Sequence, residues 1–143
     1  MKLLRFLTEK SLYFGHSIIF YNKPEEDKAL KLIKKKFPEH DIINPNNPLH
    51  QKEADKFLGK KTGSEMRYFI KVVDNADVGI FLVPKKGFTW GAGIEALRML
   101  QKGKDVYKVD LKGNKLIKIS RKDVGKLSRK HTYQQLGVEV KWD

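Results

Sequence analysis

The stretch Gly87-Phe88-Thr89-Trp90-Gly91-Ala92-Gly93-Ile94-Glu95 is where this chain gathers groups able to do chemistry. Glycines at the start of a helix, here Gly91 and Gly93, leave backbone N–H groups open to an anion. Phe88 and Trp90 could stack on a flat ring or close the edge of a core. Glu95 follows about one turn into the helix, so its carboxylate would face whatever the loop holds. Its plainer role is compensation of the helix dipole, worth ~0.3–1 kcal/mol. A second unusual segment is Gly15-His16-Ser17. There a glycine lets backbone approach a ligand and a hydroxyl can donate to phosphate, although Gly-x-Ser is also ordinary turn chemistry.

Other chemistries are less well served. Gly91-Ala92-Gly93-Ile94-Glu95-Ala96 matches the dinucleotide pattern G-x-G-x-x-(G/A), and Asp110 follows at about the spacing of its ribose-binding acid. The connection from Pro84 to Trp90, however, is longer than the tight turn that the first glycine of that pattern serves. His16, His40, His50 and His131 have no metal-ligand spacing, and there are no cysteines, so neither a metal site nor a cofactor is expected. No serine sits in a nucleophile-elbow context.

These two segments need elements to hold them. Ser11–Ile19 reads as a first strand centred on Leu12-Tyr13-Phe14 and breaking at Gly15-His16-Ser17. Pro24 opens a helix whose first turn carries Glu25, Glu26 and Asp27, suited to the positive end of the dipole. Ala29, Leu30, Ile33 and Phe37 recur at helical spacing, and Pro38 ends it. Asp41-Ile42-Ile43 is a short strand before a loop rich in asparagine and proline. Thr62-Gly63-Ser64-Glu65 has the spacing of a capping box for a second helix with Met66, Phe69, Ile70 and Val73 on its buried side. The apolar run Val78–Val83 fits a strand buried on both faces. Gly91–Lys102 is a third helix stopped by Gly103, and Val106–Leu111 is the next strand. Lys112-Gly113-Asn114 then turns the chain into a hairpin partner, Leu116–Ile119. A basic helix over Ser128–Leu136 and a strand over Val138–Trp142 complete the reading.

Strands alternating with helices predict an α/β fold of the Rossmann or flavodoxin-like kind: a three-layer sandwich around a mainly parallel sheet. With 143 residues and no linker or repeat, the chain reads as one domain, residues 111–143 being its basic, less regular extension. The formal charge of +13 favours anionic partners. The basic residues are scattered, which points to a solvated lysine-rich surface and at most weak, non-specific binding of nucleic acid. No run approaches a membrane span. The first ten residues lack the long apolar stretch of a signal peptide, and the lack of cysteine fits a reducing compartment, so a cytoplasmic protein with no membrane partner is expected.

At its two ligand-facing segments the chain resembles the nucleoside 2-deoxyribosyltransferase superfamily, including its 2′-deoxynucleoside 5′-phosphate N-hydrolases. Tyr13-Phe14-Gly15-His16-Ser17-Ile18 is similar to that family's first strand and ligand loop. Ala76-Asp77-Val78-Gly79-Ile80-Phe81 is similar to its central strand. Thr89-Trp90-Gly91-Ala92-Gly93-Ile94-Glu95-Ala96-Leu97-Arg98 resembles its stretch of small hydroxyl, glycine and glutamate, and Gly103-Lys104-Asp105-Val106 its entry to the following strand. The resemblance implies that Glu95 is a nucleophile that attacks an anomeric carbon. It further implies that Tyr13 positions Glu95 or the sugar, and that Ser17 and Thr89 contact a 5′-phosphate or 5′-hydroxyl, helped by helix N-terminal amides. The substrate-binding set is then Gly15, His16, Ser17, Thr89, Trp90, Gly91 and Gly93. Two positions depart from the family pattern: Ile18, Ile19 and Phe20 stand where its nucleotide hydrolases carry a basic residue, and Phe69 where it places a carboxylate, with Glu65 one turn away.

The functional expectation is therefore hydrolysis or transfer at the N-glycosidic bond of a nucleoside or nucleotide, by a homo-oligomer. The alternatives are a non-catalytic nucleotide- or nucleic-acid-binding domain on the same scaffold, and a dinucleotide binder.

Overall fold

In the first strand Leu12 and Phe14 alternate with Tyr13, and all three side chains are buried. A strand that is apolar on both sides needs cover on both faces. The computed structural model, which describes residues 10–46 and 71–125, provides that cover with one helix on each side.

Strand β1 (Lys10–His16) leads through a 3-10 turn, Ile18–Phe20, into helix α1 (Pro24–Lys36) and strand β2 (His40–Ile43). Residues 71–75 are helical. They are followed by β3 (Val78–Leu82), α2 (Trp90–Gln101), β4 (Asp105–Asp110), β5 (Lys115–Lys118) and the short helix α3 (Arg121–Val124). The five strands form one mixed sheet in the order β2-β1-β3-β4-β5. β1 pairs in parallel with β2 and β3, and β3 with β4, while β5 returns antiparallel on β4. The fold is thus α/β and mostly parallel. The capping box at 62–65, the expected helix over 128–136 and the expected strand over 138–142 lie outside the described residues.

Each face has its own core. Leu12, Phe14, Ile80, Leu82 and Val109 pack with Ala29, Leu32 and Ile33 of α1. Tyr13, Phe81 and Val106 pack with Ala92, Ala96 and Met99 of α2, together with Val73, Ala76, Phe88, Ile119 and Val124. No helix among the described residues is long and apolar enough to cross a membrane.

Two glycines set how the second face packs. Tyr13 lies beside Gly79 and Gly15 beside Phe81 in the β1–β3 register, so each ring has a glycine for a neighbour. A Cβ on Gly15 would stand 2.2 Å from Cε1 of Phe81, and one on Gly79 would stand 2.6 Å from Sδ of Met99. β1 ends at His16, within the expected break at Gly15-His16-Ser17 and three residues short of the expected Ile19. The strand continues through His16 because the missing side chain makes room for the Phe81 ring, not for a turn.

The C-terminal end of α2 is tied down by charge. The Arg98 guanidinium holds both Asp74 oxygens, at 2.9 and 3.1 Å, and Lys104 Nζ donates to the carbonyls of Val73 and Asp74. The Arg98 hydrogen bonds push the Asp74 carboxyl down to about 2. The helix α3, which the sequence reading passed over, rests on a capping box between Ser120 and Asp123.

Candidate functional site

Strand order reverses direction between β1 and β3: from β1 the chain crosses first to β2 on one side, and β3 lies on the other. In open parallel sheets, ligands bind at such a switch point, beyond the C-terminal ends of the strands. His16 is paired with Leu82 at that edge. Ser17 follows the one, and the segment leading to Thr89 and α2 follows the other.

Tyr13, three residues before the end of β1, meets Glu95 of α2. The Tyr13 hydroxyl donates a short hydrogen bond to Glu95 Oε2, joining residues 82 apart in the chain. Both are buried, Tyr13 at 1% and Glu95 at 6% exposure. Burial pushes the Glu95 carboxyl up to about 8, against the opposing pull of the Tyr13 hydrogen bond. Burial first, and then the neighbouring carboxylate, raise the Tyr13 hydroxyl well above its ordinary value. Dipole compensation does not explain Glu95. It is the sixth residue of α2, beyond the first turn, which contains no acid, and the dipole's effect fades within that turn.

The start of α2 lies one turn before Glu95. Thr89 occupies the N-cap position, 5% exposed, with no hydrogen bond from its hydroxyl to the helix. Its carbonyl accepts from Gly93 N at 2.8 Å, the first bond of the helix. Gly91 and Gly93 lie inside the first turn, Gly93 buried and Gly91 half-buried, with Trp90 half-buried at the first helical position. The Gly-x-Gly pattern is thus within the helix, after a long connection, and not in the tight turn of a dinucleotide site. Phe88 belongs to the core, tilted against Phe81 at 5.9 Å between ring centres.

The β1 segment divides. Ser17 is buried, and its Oγ accepts from Ile19 N at 3.4 Å. Gly15 serves Phe81, as described. His16 turns to the α1 face, stacked on Phe14 at 4.2 Å. Its Nδ1–H donates to the Phe14 carbonyl at 3.2 Å, because a carbonyl can only accept. Its Nε2 lies 2.6 Å from Glu26 Oε2. Asn46 Nδ2 donates to both Glu26 oxygens at 3.0 Å, and Asn22 N donates to Oε1 at 3.3 Å. Burial holds the His16 pKa below its ordinary value in spite of these partners. Both ring nitrogens are therefore engaged by protein, on the face of the sheet away from Glu95.

The sequence reading missed Glu26 and Asn46. Glu26 suits the dipole as a first-turn charge, yet it falls at helical spacing with the buried Ala29 and Ile33. An acid on the apolar stripe of a helix needs a buried partner, and that signal was available. Among the described residues no cluster of histidine and acidic side chains could hold a metal ion.

No protein-family model, curated protein or solved structure matches this chain.

Proposed function

We propose that this chain cleaves or transfers the N-glycosidic bond of a nucleoside or nucleotide, with Glu95 as nucleophile and Tyr13 holding it. The observation that carries the reading is the buried Tyr13–Glu95 hydrogen bond between β1 and α2, in a sheet whose order reverses at β1 and β3. In the proposed reaction a Glu95 oxygen bonds to the anomeric carbon as the bond from that carbon to the base nitrogen breaks. The base leaves with the electron pair and takes up a proton. Water or a second base then displaces the glutamate from the glycosyl ester. A carboxylate close to the anomeric carbon stabilises its developing positive charge, and the covalent ester divides one hard step into two. A pKa near 8 means that the reactive, ionised carboxylate is the minor form at neutral pH. A cationic sugar centre would favour it.

In this reading Thr89, Ser17 and the amides that open α2 take the 5′ end of the substrate, since helix N-terminal N–H groups favour anions. Gly91 and Gly93 keep that approach clear, and Trp90 borders it. The scaffold is a three-layer, flavodoxin-like sandwich acting as a cytoplasmic homo-oligomer. The strand order 2-1-3-4-5 and the core on each sheet face support the three-layer scaffold, and the absence of cysteine fits a reducing compartment. Chromatography of nucleosides and 5′-nucleotides incubated with the protein tests the proposal. Free base released by the parent chain and not by Glu95→Gln is the expected result.

A second reading is favoured by the same burial. A carboxyl that is mostly protonated at neutral pH and capped by a tyrosine suits a non-catalytic nucleotide-binding domain. That reading predicts ligand-induced stabilisation with no base released from any substrate.

A further inference from the structure

On the α1 side of the sheet, a groove of about 300 Å³ lies between that helix and the turn joining β4 to β5, lined by Lys28, Lys31, Leu32, Lys35, Leu111 and Asn114. We propose that this groove binds the phosphate backbone of a single-stranded nucleic acid. Lys28, Lys31 and Lys35 are exposed and recur at helical spacing on one side of α1. At 1.5 Å rise per residue they form a row of roughly 10 Å. None of the three makes an ion pair among the described residues. The nearest acids along the chain are Glu25, Glu26 and Asp27 before the row, Glu39 after it and Asp110 before the turn, and Glu26 is held by His16 and Asn46. Asp110 Oδ1 accepts from Gly113 N at 3.0 Å and so is held within its own turn.

The floor of the groove is apolar, from Leu32 and Leu111. Ammonium groups along a rim above an apolar floor match a strand whose phosphates follow the lysines while one base rests on the leucines. Lysine acts on phosphate as a point charge and needs no fixed geometry. The volume is at the lower end for a ligand site, about right for one nucleotide unit. A duplex keeps its bases paired and cannot lower one onto the leucines. The overall charge of +13 would speed the encounter. Neither Tyr13 nor Glu95 lines the groove, so this inference does not depend on the proposed reaction.

The test is fluorescence anisotropy of the intact chain with a labelled single-stranded oligonucleotide over a range of salt concentrations. The variant K28Q/K31Q/K35Q is expected to bind about ten-fold more weakly. Its plot of log affinity against log salt should flatten by about 2, because each lost phosphate contact on a single strand removes ~0.7 from the slope. The control K85Q/K86Q/K122Q removes the same charge from exposed positions outside the groove and should change both quantities much less. All six positions are exposed, and unchanged melting of both variants confirms that fold is not being read. Equal losses in the two triple variants would overturn the proposal by making the attraction diffuse. Duplex of equal length binding as tightly as single strand would overturn it too, as would equally effective displacement by polyglutamate.

Discussion

A glutamate and a tyrosine that share one buried hydrogen bond cannot be changed independently. Glu95→Gln keeps the shape of the side chain but removes the charge that attacks or stabilises a cation. If the proposed reaction holds, turnover falls by orders of magnitude while melting temperature holds or rises, which base-release assays and thermal denaturation read separately. The sign of the stability effect follows from linkage. Glu95 has a folded pKa near 8, raised from 4.5. Its buried neutral form therefore favours folding fully below pH ~4.5, and that contribution is lost as pH rises through ~8. Stability of the parent should decline across that window, and the decline should be shallower in Glu95→Gln. Denaturant titrations at matched pH values check this, and parallel curves would refute it. Activity should run the other way, rising with pH to a plateau above about 8 as the carboxylate forms. In Tyr13→Phe the hydrogen bond that lowers the Glu95 pKa is gone, so the midpoint of that pH–rate profile should move upward.

Between elements, the controlling feature is the fit of rings against glycines where β1 meets β3. Gly15→Ala forces a methyl group into the buried ring of Phe81. Overpacking of this kind costs roughly 1–3 kcal/mol. Gly79→Ala meets the sulfur of Met99, the far end of a flexible side chain, and should cost less. The double variant Gly15→Ala/Phe81→Leu should recover part of the Gly15→Ala loss, and a double-mutant cycle in urea measures that coupling. Additive losses would mean that the Phe81 ring is not what excludes a side chain at position 15. Because α2 packs on the same face, Gly15→Ala should also disturb the Tyr13–Glu95 contact. Activity should then drop by more than the stability loss alone explains.

At the scale of the molecule, charge works against the fold. Thirty basic residues face seventeen acidic ones, and repulsion among like charges destabilises a compact state. Among the described residues, an exposed ion pair such as Lys118 with Asp105 at 3.1 Å contributes little. Raising the salt from low to physiological concentration should therefore raise the melting temperature, since screening weakens the repulsion more than it weakens such pairs. Calorimetry across a sodium chloride series decides this. A melting temperature that falls with added salt would mean that specific pairs outweigh the net charge.

Much of this architecture was legible in the residues themselves. Apart from α3 and the C-terminal end of β1, local rules placed the helices and strands of the described region to within a residue or two, because Pro24, Pro38 and Gly103 are punctuation that acts through backbone geometry. The apolar run after Asp77 demanded a strand covered on both faces, and so a parallel sheet. Glu95 could be singled out because it stands about one turn past a glycine-bearing loop at the start of its helix. Its partner followed from the resemblance alone and not from spacing, since Tyr13 lies 82 residues away and only the register of β1 against β3 brings β1 beneath α2. The same holds for His16. Its sequence neighbours suggested a ligand loop, but strand alternation turned it to the opposite face, where Glu26 and Asn46 engage it. Spacing along a chain determines which face of its own element a side chain occupies. What lies across that face depends on how the elements pack, and here packing decided the charge state of Glu95, the purpose of Gly15 and the row of lysines beside Leu111.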